Sequence, residues 1–340
     1  LSSSSAASDV YKRQILGLAV LSAIAGVYLM SNTSNQLSDD SVSRMFEDFI
    51  MTNRRSYASV DEYNHRLGVF KKNLEIAAQI QAEQDEAVFG VTIFSDWTQE
   101  EFKQMLSLKV PAGKRPVKHT EYVIGDYKDK NWKSTYNIVK DQGSCGSCWS
   151  FSASAAAEPR AKLAGAKQYD LAEQQCVDCD PESEGCNGGW MSTCFEHLMN
   201  RPLCSEAEYP YTASDTPCTE NNCSGLDWEI RDYVDLAEGD CAGLDAADDD
   251  GPVSVAVDAT AMQFYSSGII KPGLFCGDTF DQLNHGIAVY GEKITGEATP
   301  YWIVKNSWGG RWGEQGYARF KIGNTCGICL AASYPLISVA

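Results

Sequence analysis

The residues of this 340-residue chain that could do chemistry lie in one short stretch and at two later positions. Gln142-Gly-Ser-Cys-Gly-Ser-Cys148-Trp-Ser-Phe151 sets a cysteine at the start of a helical run. Ser147 reads as an N-cap and Ser150 to Ala157 as the first helical stretch. Cys148 then stands at a helix N-terminus, where unsatisfied N–H groups and the dipole favour a thiolate. The same amides can hold an oxyanion, and Gln142 offers a side-chain donor from just upstream. A thiolate nucleophile needs a base. Asn284-His285-Gly286 opens an apolar strand, so His285 projects from a strand end, whereas His197, among Phe195 and Leu198 on a helix, reads as packing or surface. Tyr301-Trp-Ile-Val-Lys-Asn306-Ser-Trp308-Gly-Gly310 puts an amide at the end of a second strand, with Trp308 placed to shield it from water. A neutral Asn holds an imidazole in one tautomer without quenching a thiolate–imidazolium pair.

The thirteen cysteines bound the reading of Cys148. None precedes Cys145, and a reducing cytosol rarely hosts a segment so rich in them without metal-type spacing. An odd count requires one thiol to stay free or to pair with another chain, without saying which, so Cys148 as a half-cystine stays open here. Three CxxC pairs (Cys145/Cys148, Cys176/Cys179, Cys326/Cys329) raise structural zinc as an alternative, but His197 and His285 are the only histidines beyond Cys145. Hydrophobic residues at 44% and charged residues at 22% exclude a mainly disordered, collagen-like or polytopic membrane protein. With 28 basic and 46 acidic side chains the net charge is −18, which makes nucleic acid an unfavourable partner. The excess acid is concentrated: residues 123–340 carry 31 of the acidic and 15 of the basic side chains.

At ~150 residues per domain, the length suggests about two domains. Leu1 to Ser8 is low-complexity Ser and Ala. Lys12 and Arg13 precede an apolar run from Ile15 to Met30 with the small pair Ala23/Ala25, which reads as a secretory signal, with a signal anchor as the alternative. Asp39 to about Met105 is helical in pattern. Tyr63, Leu67, Phe70, Leu74 and Ala77 step by four and three along one face. Glu62 and Arg66 are spaced to pair. Gly90 to Asp96 alternates and suggests a short extended piece. Pro111 to His119, rich in Pro, Gly, Lys and Arg, reads as an exposed connection open to proteolysis. Helical stretches then cover Ser150–Leu163 and Trp190–Met199. Strands are predicted at Pro252–Val257, Gly286–Tyr290, Tyr301–Lys305, Gly316–Ile322 and Ala331–Ile337. Helices first and strands later predict an α+β fold with two sub-domains and a cleft between them.

Taken together, Cys145-Gly-Ser-Cys148-Trp149 with His285 and Asn306 at 137 and 21 residues' spacing resembles the papain-like cysteine peptidases, in a cathepsin L-like preproenzyme form. Gly185-Cys-Asn-Gly-Gly189, Tyr209-Pro-Tyr211, Gly251-Pro-Val-Ser-Val255 and Ala332-Ser-Tyr-Pro335 follow in the family's order. The resemblance runs from about residue 40 to the C-terminus. It implies a helical left sub-domain, a β-barrel-like right sub-domain and a helical propeptide. It divides the chain into a start plus signal peptide (1–30), an inhibitory propeptide (31–122) and a peptidase domain (123–340). It makes Cys148 the nucleophile, His285 the general base and acid, Asn306 the orienter and Gln142 the oxyanion-hole donor. Substrate-binding positions carried over are Gly146, Gly188, Gly189, Trp190, Met191, Ala256, Leu283, Asn284, Trp308 and Ala331. The apolar ones among these imply a preference for an apolar residue two before the cut.

The resemblance also implies disulfides Cys145–Cys186, Cys179–Cys218 and Cys276–Cys326. Cys176 and Cys194, on neighbouring predicted helices, could pair, while Cys204, Cys223, Cys241 and Cys329 are left unassigned. The propeptide's long-helix motif is present as Glu62, Arg66, Val69, Phe70 and Asn73, with Ala77 and Gln81 where the family prefers Ile and Asn. The next motif keeps Gly90, Phe94 and Asp96 with Thr92 for Asn, and Asp96 lies where the family is thought to sense acid. Pro159 falls inside the central helix and is expected to kink it. No loop like that of cathepsin B follows Cys186, which favours an endopeptidase. The implied setting is the secretory pathway, with an acidic vacuole, lysosome or the extracellular space as destination. Implied partners are protein and peptide substrates, the chain's own propeptide and cystatin-type inhibitors. A monomer with no metal or cofactor is expected. Asn32 and Asn222 are sequons. Two other classes compete with this reading: a binding protein on an inactive peptidase fold, disfavoured by intact Cys148, His285, Asn306 and Gln142, and an acyltransferase such as a transglutaminase, which would leave the propeptide-like segment unexplained.

Overall fold

A computed structural model describes residues 38–113, 115–116, 127–136, 138–199 and 201–339. The apolar run 15–30, Asn32 and residues 114 and 117–119 of the exposed connection fall outside these residues. The chain forms two compact units, one ending at Thr98 and including Gln263–Ser266, the other comprising the rest from Gln99.

In the first unit, α1 (Asp39–Asn53) and α2 (Val60–Glu83) begin at the N-caps Ser38 and Ser59, whose hydroxyls accept from the N–H groups of Ser41 and Glu62. Glu62 in turn accepts the Ala58 N–H at 2.6 Å, so two orphan donors at this helix start are satisfied. Phe46, Phe49 and Phe70 are buried between the two helices, with Phe46 and Phe70 ring centroids 5.2 Å apart. The predicted stripe on α2 is the buried one, continued by Asn73 and Ile80. Asn73 Nδ2 donates to the carbonyls of Ser95 and Trp97 at 3.0 and 2.8 Å, and Arg66 donates to the Asp96 carbonyl at 2.9 Å. Gln81 donates to the carbonyls of Gln84 and Ala87 and accepts the Phe89 N–H, so it ties together the turn after α2. The extended piece is not Gly90–Asp96 but β1 (Ala87–Phe89), and 93–97 is a turn. Its cause is the Asn73 amide on α2, which gathers the carbonyls that a strand would have presented, while inside the turn the Ser95 hydroxyl accepts the Thr92 N–H at 2.8 Å.

The second unit holds helices α3 (Gln99–Met105), α4 (Cys148–Ala164), α5 (Glu173–Cys179), α6 (Met191–Leu198) and α7 (Cys241–Asp248). Its strands are β2 (Lys130–Asn131), β3 (Trp228–Asp235), β4 (Val253–Val257), β5 (Tyr265–Ile270, which starts in the first unit), β6 (His285–Lys293), β7 (Tyr301–Lys305), β8 (Tyr317–Lys321) and β9 (Ala332–Val339). They run in the order β5-β8-β7-β6-β4-β9-β3, with β2 added to β6. Neighbours are antiparallel except β5 and β8. The helical half has its own core of Trp149, Ala153, Ala157, Leu171, Phe195 and Leu198, closed by Trp228 and Ile230 of β3. The strand half buries Ala288, Tyr290, Ile303 and Tyr317.

Helix α4 joins the halves. Ala153 and Ala157 lie in the core of the helical half and Ala155 packs against that of the strand half, and the Ser152 hydroxyl donates to the Ile287 carbonyl of β6 at 2.6 Å. Pro159 lies inside the helix, which nonetheless continues to Ala164. Proline cannot donate to the carbonyl four residues earlier. That carbonyl, of Ala155, accepts the Tyr290 hydroxyl at 2.7 Å instead, so a side chain of the sheet offsets the lost bond. The half-buried Lys140 ammonium bridges Glu158 and Glu173 at 2.7 and 2.8 Å and thereby ties α4 to α5.

Candidate active site

Six disulfides leave Cys148 as the free cysteine. Cys145–Cys186, Cys179–Cys218 and Cys276–Cys326 are joined as the resemblance implied, and Cys176 pairs with Cys194. The remaining four, unassigned from the sequence, form Cys204–Cys223 and Cys241–Cys329. Five of the six sulfurs in the CxxC pairs are therefore in disulfides, which removes them as zinc ligands.

Cys148 is the first residue of α4, and Ser147 occupies the cap without making a side-chain cap bond. The helix end meets the first residues of β6: a Cβ added to Gly286 would sit 3.1 Å from the Cys148 carbonyl, so glycine permits this approach. The Gly286 N–H and two amides at the helix start favour the anionic sulfur. Next to Gly286, His285 begins β6, and its Nε2 lies 2.8 Å from Asn306 Oδ1. Asn306 follows β7, the neighbour of β6 in the sheet, so strand pairing brings two residues 21 apart in sequence together. Since Oδ1 also accepts the Ser307 N–H at 2.8 Å, the amide orientation is fixed and His285 carries its proton on Nε2. That leaves Nδ1 with a lone pair. Trp308 stacks on the imidazole at 4.7 Å and is itself held edge-on by Trp312 at 4.9 Å.

Gln142 is fully buried. Its Oε1 accepts the Ser307 hydroxyl at 2.6 Å, which directs Nε2 toward the helix start, where it donates to the carbonyls of Cys145 at 3.0 Å and Met105 at 3.1 Å. The second of these acceptors is the last residue of α3. The segment after it continues through the site: Leu108 N donates to the Asn284 carbonyl at 3.2 Å, and Lys109 N to the Gly189 carbonyl at 3.0 Å. Gly146 and Gly188 let this segment in, because a Cβ on either would come within 2.5 or 2.0 Å of Ser107. Phe102 of α3 meets Trp308 edge-on at 5.4 Å. Under this cover both ionisable groups lose solvent. Burial pushes the Cys148 thiol up to about 12 and the His285 imidazole down to about 4, with the Asn306 bond opposing the latter. Both shifts favour the neutral pair.

Beside this centre, Trp190, Met191, Ala256 and Ala331 line one apolar pocket, with Leu283 packed against it. Ala256 and Ala331 are on adjacent backbone, the Ala256 N–H donating to the Ala331 carbonyl at 2.9 Å. Leu108, half-buried, packs against the same residues. Phe280 and Leu330 complete the pocket wall and were missed from the sequence. Neither sits in a run with chemical character; Phe280 lies on a short turn whose cap, Thr279 with Gln282, was the single legible signal. His197 does not join the centre. It is buried on α6 and bonds Glu220 Oε2 at 2.9 Å.

The chain belongs to the papain family of cysteine proteases: residues 125–336 match the papain family cysteine protease domain, and residues 46–102 match the cathepsin propeptide inhibitor domain (I29). It is similar to cathepsin L 2 of Paramecium tetraurelia, 35% identical in an alignment of 325 positions that covers 92% of this chain and 99% of the relative. Cysteine proteinase B of Leishmania mexicana is 35% identical over 86% of this chain and 68% of its own length. Among solved structures, digestive procathepsin L 3 of the Tenebrio molitor larval midgut matches with a TM-score of 0.72 and 34% identity, covering 86% of this chain and 98% of that one. The chain is thus a cathepsin L-like cysteine endopeptidase in zymogen form, with an inhibitory propeptide ahead of the peptidase domain. No helix among the described residues is long and apolar enough to cross a membrane.

Proposed function

We propose that Cys148 is the nucleophile, His285 its general base and acid, Asn306 the residue that orients the imidazole, and Gln142 the side-chain donor to the oxyanion. The observation that carries this reading is the bond between His285 Nε2 and Asn306 beside the one free thiol at the start of α4. With its proton held on Nε2, the imidazole takes the thiol proton on Nδ1. The sulfur then attacks the scissile carbonyl, and the charge on oxygen is met by Gln142 Nε2 and helix-start amides. Collapse expels the amine, protonated by His285, and leaves a thioester. Water, deprotonated by His285, then releases the acid and restores the thiol. Gly189 and Asn284 offer backbone to an extended peptide at the places now taken by residues 108 and 109, and Gly188 leaves it room beside them.

The pocket of Trp190, Met191, Ala256, Leu283 and Ala331 selects an apolar residue two before the cut. All five of these side chains are apolar, so none of them offers a guanidinium a charge partner. The domain division is 31–122 for the propeptide and 123–340 for the peptidase, with cleavage between about Lys118 and Tyr127 releasing the segment that covers the site. The processed enzyme acts as a monomer in an acidic vacuole, in a lysosome or outside the cell, reached through the secretory pathway, and is a target for cystatin-type inhibitors. The test is hydrolysis of a fluorogenic dipeptide amide by acid-treated protein, with and without an epoxide thiol inhibitor. Hydrolysis should require Cys148 and His285 and survive His197→Ala. Activity in Cys148→Ala would refute the assignment.

A further inference from the structure

Beyond the apolar pocket the chain holds a second, charged seat. Arg115, seven residues after Leu108, donates from Nε and Nη2 to the two carboxylate oxygens of Glu238 at 2.9 and 3.2 Å. Its guanidinium carbon lies 4.2 Å from the centroid of the Phe280 ring, and Asp281 Oδ1 stands 3.4 Å from Nη1. A fork-to-fork pair with an aromatic face beneath it is the arrangement that distinguishes arginine from lysine. The same Phe280 ring packs against Trp190 in the wall of the pocket that takes Leu108, so the seat adjoins that pocket.

The seat is built by the peptidase part alone. Glu238 is nine-tenths buried, on a loop whose backbone is fastened to its surroundings: Leu236 N donates to the Ala332 carbonyl and Gly239 N to the Cys329 carbonyl, both at 2.9 Å, and Cys241 is joined to Cys329. Phe280 and Asp281 stand on the turn capped by Thr279 and Gln282. None of these supports involves Arg115. On the proposed cleavage beyond Lys118, Arg115 departs with the propeptide and leaves an aromatic ring and a buried carboxylate aimed at the same point. Asp235 extends the acid along the groove, which Tyr233 and Leu236 also line.

We propose that Glu238, Asp281 and Phe280 form a guanidinium-binding subsite of the processed enzyme, which takes an arginine side chain of an extended peptide whose apolar residue fills the Leu108 pocket, and which the zymogen occupies with its own Arg115. This rests on the cleavage reading above. Residues 108 to 115 span at most ~25 Å extended, so one peptide reaches both places.

The test uses the processed enzyme and a synthetic peptide of residues 105–116 as a competitor of dipeptide-amide hydrolysis, with active sites titrated by the epoxide in each variant. Replacing Arg115 of the peptide with citrulline keeps the shape and removes the charge. Inhibition should weaken about tenfold on the wild-type enzyme, and less than about threefold on Glu238→Gln, whose side chain is isosteric. A lysine peptide should fall between. Equal inhibition by the arginine and citrulline peptides, or the same loss on Glu238→Gln as on wild type, overturns the subsite. N-terminal sequencing separates the two ideas: a processed chain that begins before Arg115 refutes the cleavage reading, whereas one that begins after it and shows no citrulline effect refutes the subsite alone.

Discussion

Leu108→Ala should loosen the cover over the active site without touching the enzyme that emerges from it. The side chain is packed among Trp190, Met191, Ala256, Phe280 and Ala331. The change deletes three carbons, and at ~0.8 kcal/mol for each fully buried one the upper bound is ~2.4 kcal/mol. Leu108 is only half-buried, and the backbone bonds at Leu108 and Lys109 remain, so ~1–2 kcal/mol is the expected loss. That corresponds to a rise of about 5- to 30-fold in the population with the cleft uncovered. The assay is the rate at which an active-site-directed epoxide labels Cys148 in the full chain at neutral pH, sampled before any cleavage is visible on a gel. Leu108→Met, which keeps the volume, should change the rate by less than a few fold. Lys109→Ala removes an exposed pair with Glu184 and should do the same. The processed enzymes from all these variants are identical if cleavage falls beyond residue 116, so equal kcat/KM after processing is the internal control. An unchanged labelling rate in Leu108→Ala would refute Leu108 as an anchor of the inhibitory segment.

Burial of Cys148 and His285 in the zymogen holds both neutral, so iodoacetamide should alkylate the full chain at least about tenfold more slowly than the processed enzyme at pH 7, with a rate that stays low from pH 5 to 8 and climbs only toward the thiol's value of about 12; equal rates would refute the burial effect. Asp96 is also raised by burial, against the opposing pull of Arg55, so the folded first unit gains rather than loses stability as this group takes its proton. Asp96→Asn should therefore retain acid-dependent activation, and loss of the pH dependence would make Asp96 the trigger that its sequence position suggests. For specificity, a Phe-Arg amide should be cleaved at least about tenfold better than Arg-Arg, and Ala331→Glu should narrow the gap; comparable kcat/KM for the two wild-type reactions would sink the apolar-pocket reading. Peptide mapping without reduction should recover Cys204–Cys223 and Cys241–Cys329 joined and Cys148 as the alkylated thiol.

Residue type and spacing were enough to pick out the candidate residues and the elements that carry them. A cysteine at the head of an alanine- and serine-rich helix, a histidine opening one strand and an asparagine closing the next each owe their place to local patterning, which a chain carries in its own order. The apolar stripe of α2 and the α+β succession are legible for the same reason. What local pattern could not supply were the contacts made across long separations. The partners of Cys241 and Cys204 depend on which loops the sheet order sets side by side, as do Tyr290 reaching the Ala155 carbonyl and Phe280 entering the pocket wall. The turn at 93–97 was misread as extended because its cause, Asn73, lies twenty-two residues upstream of Ser95 on another element. The covering segment was unreadable for a deeper reason. Residues 105–109 and Arg115 have no pattern of their own, and their placement is decided entirely by the pocket, the glycines and the buried carboxylate that the tertiary structure presents to them.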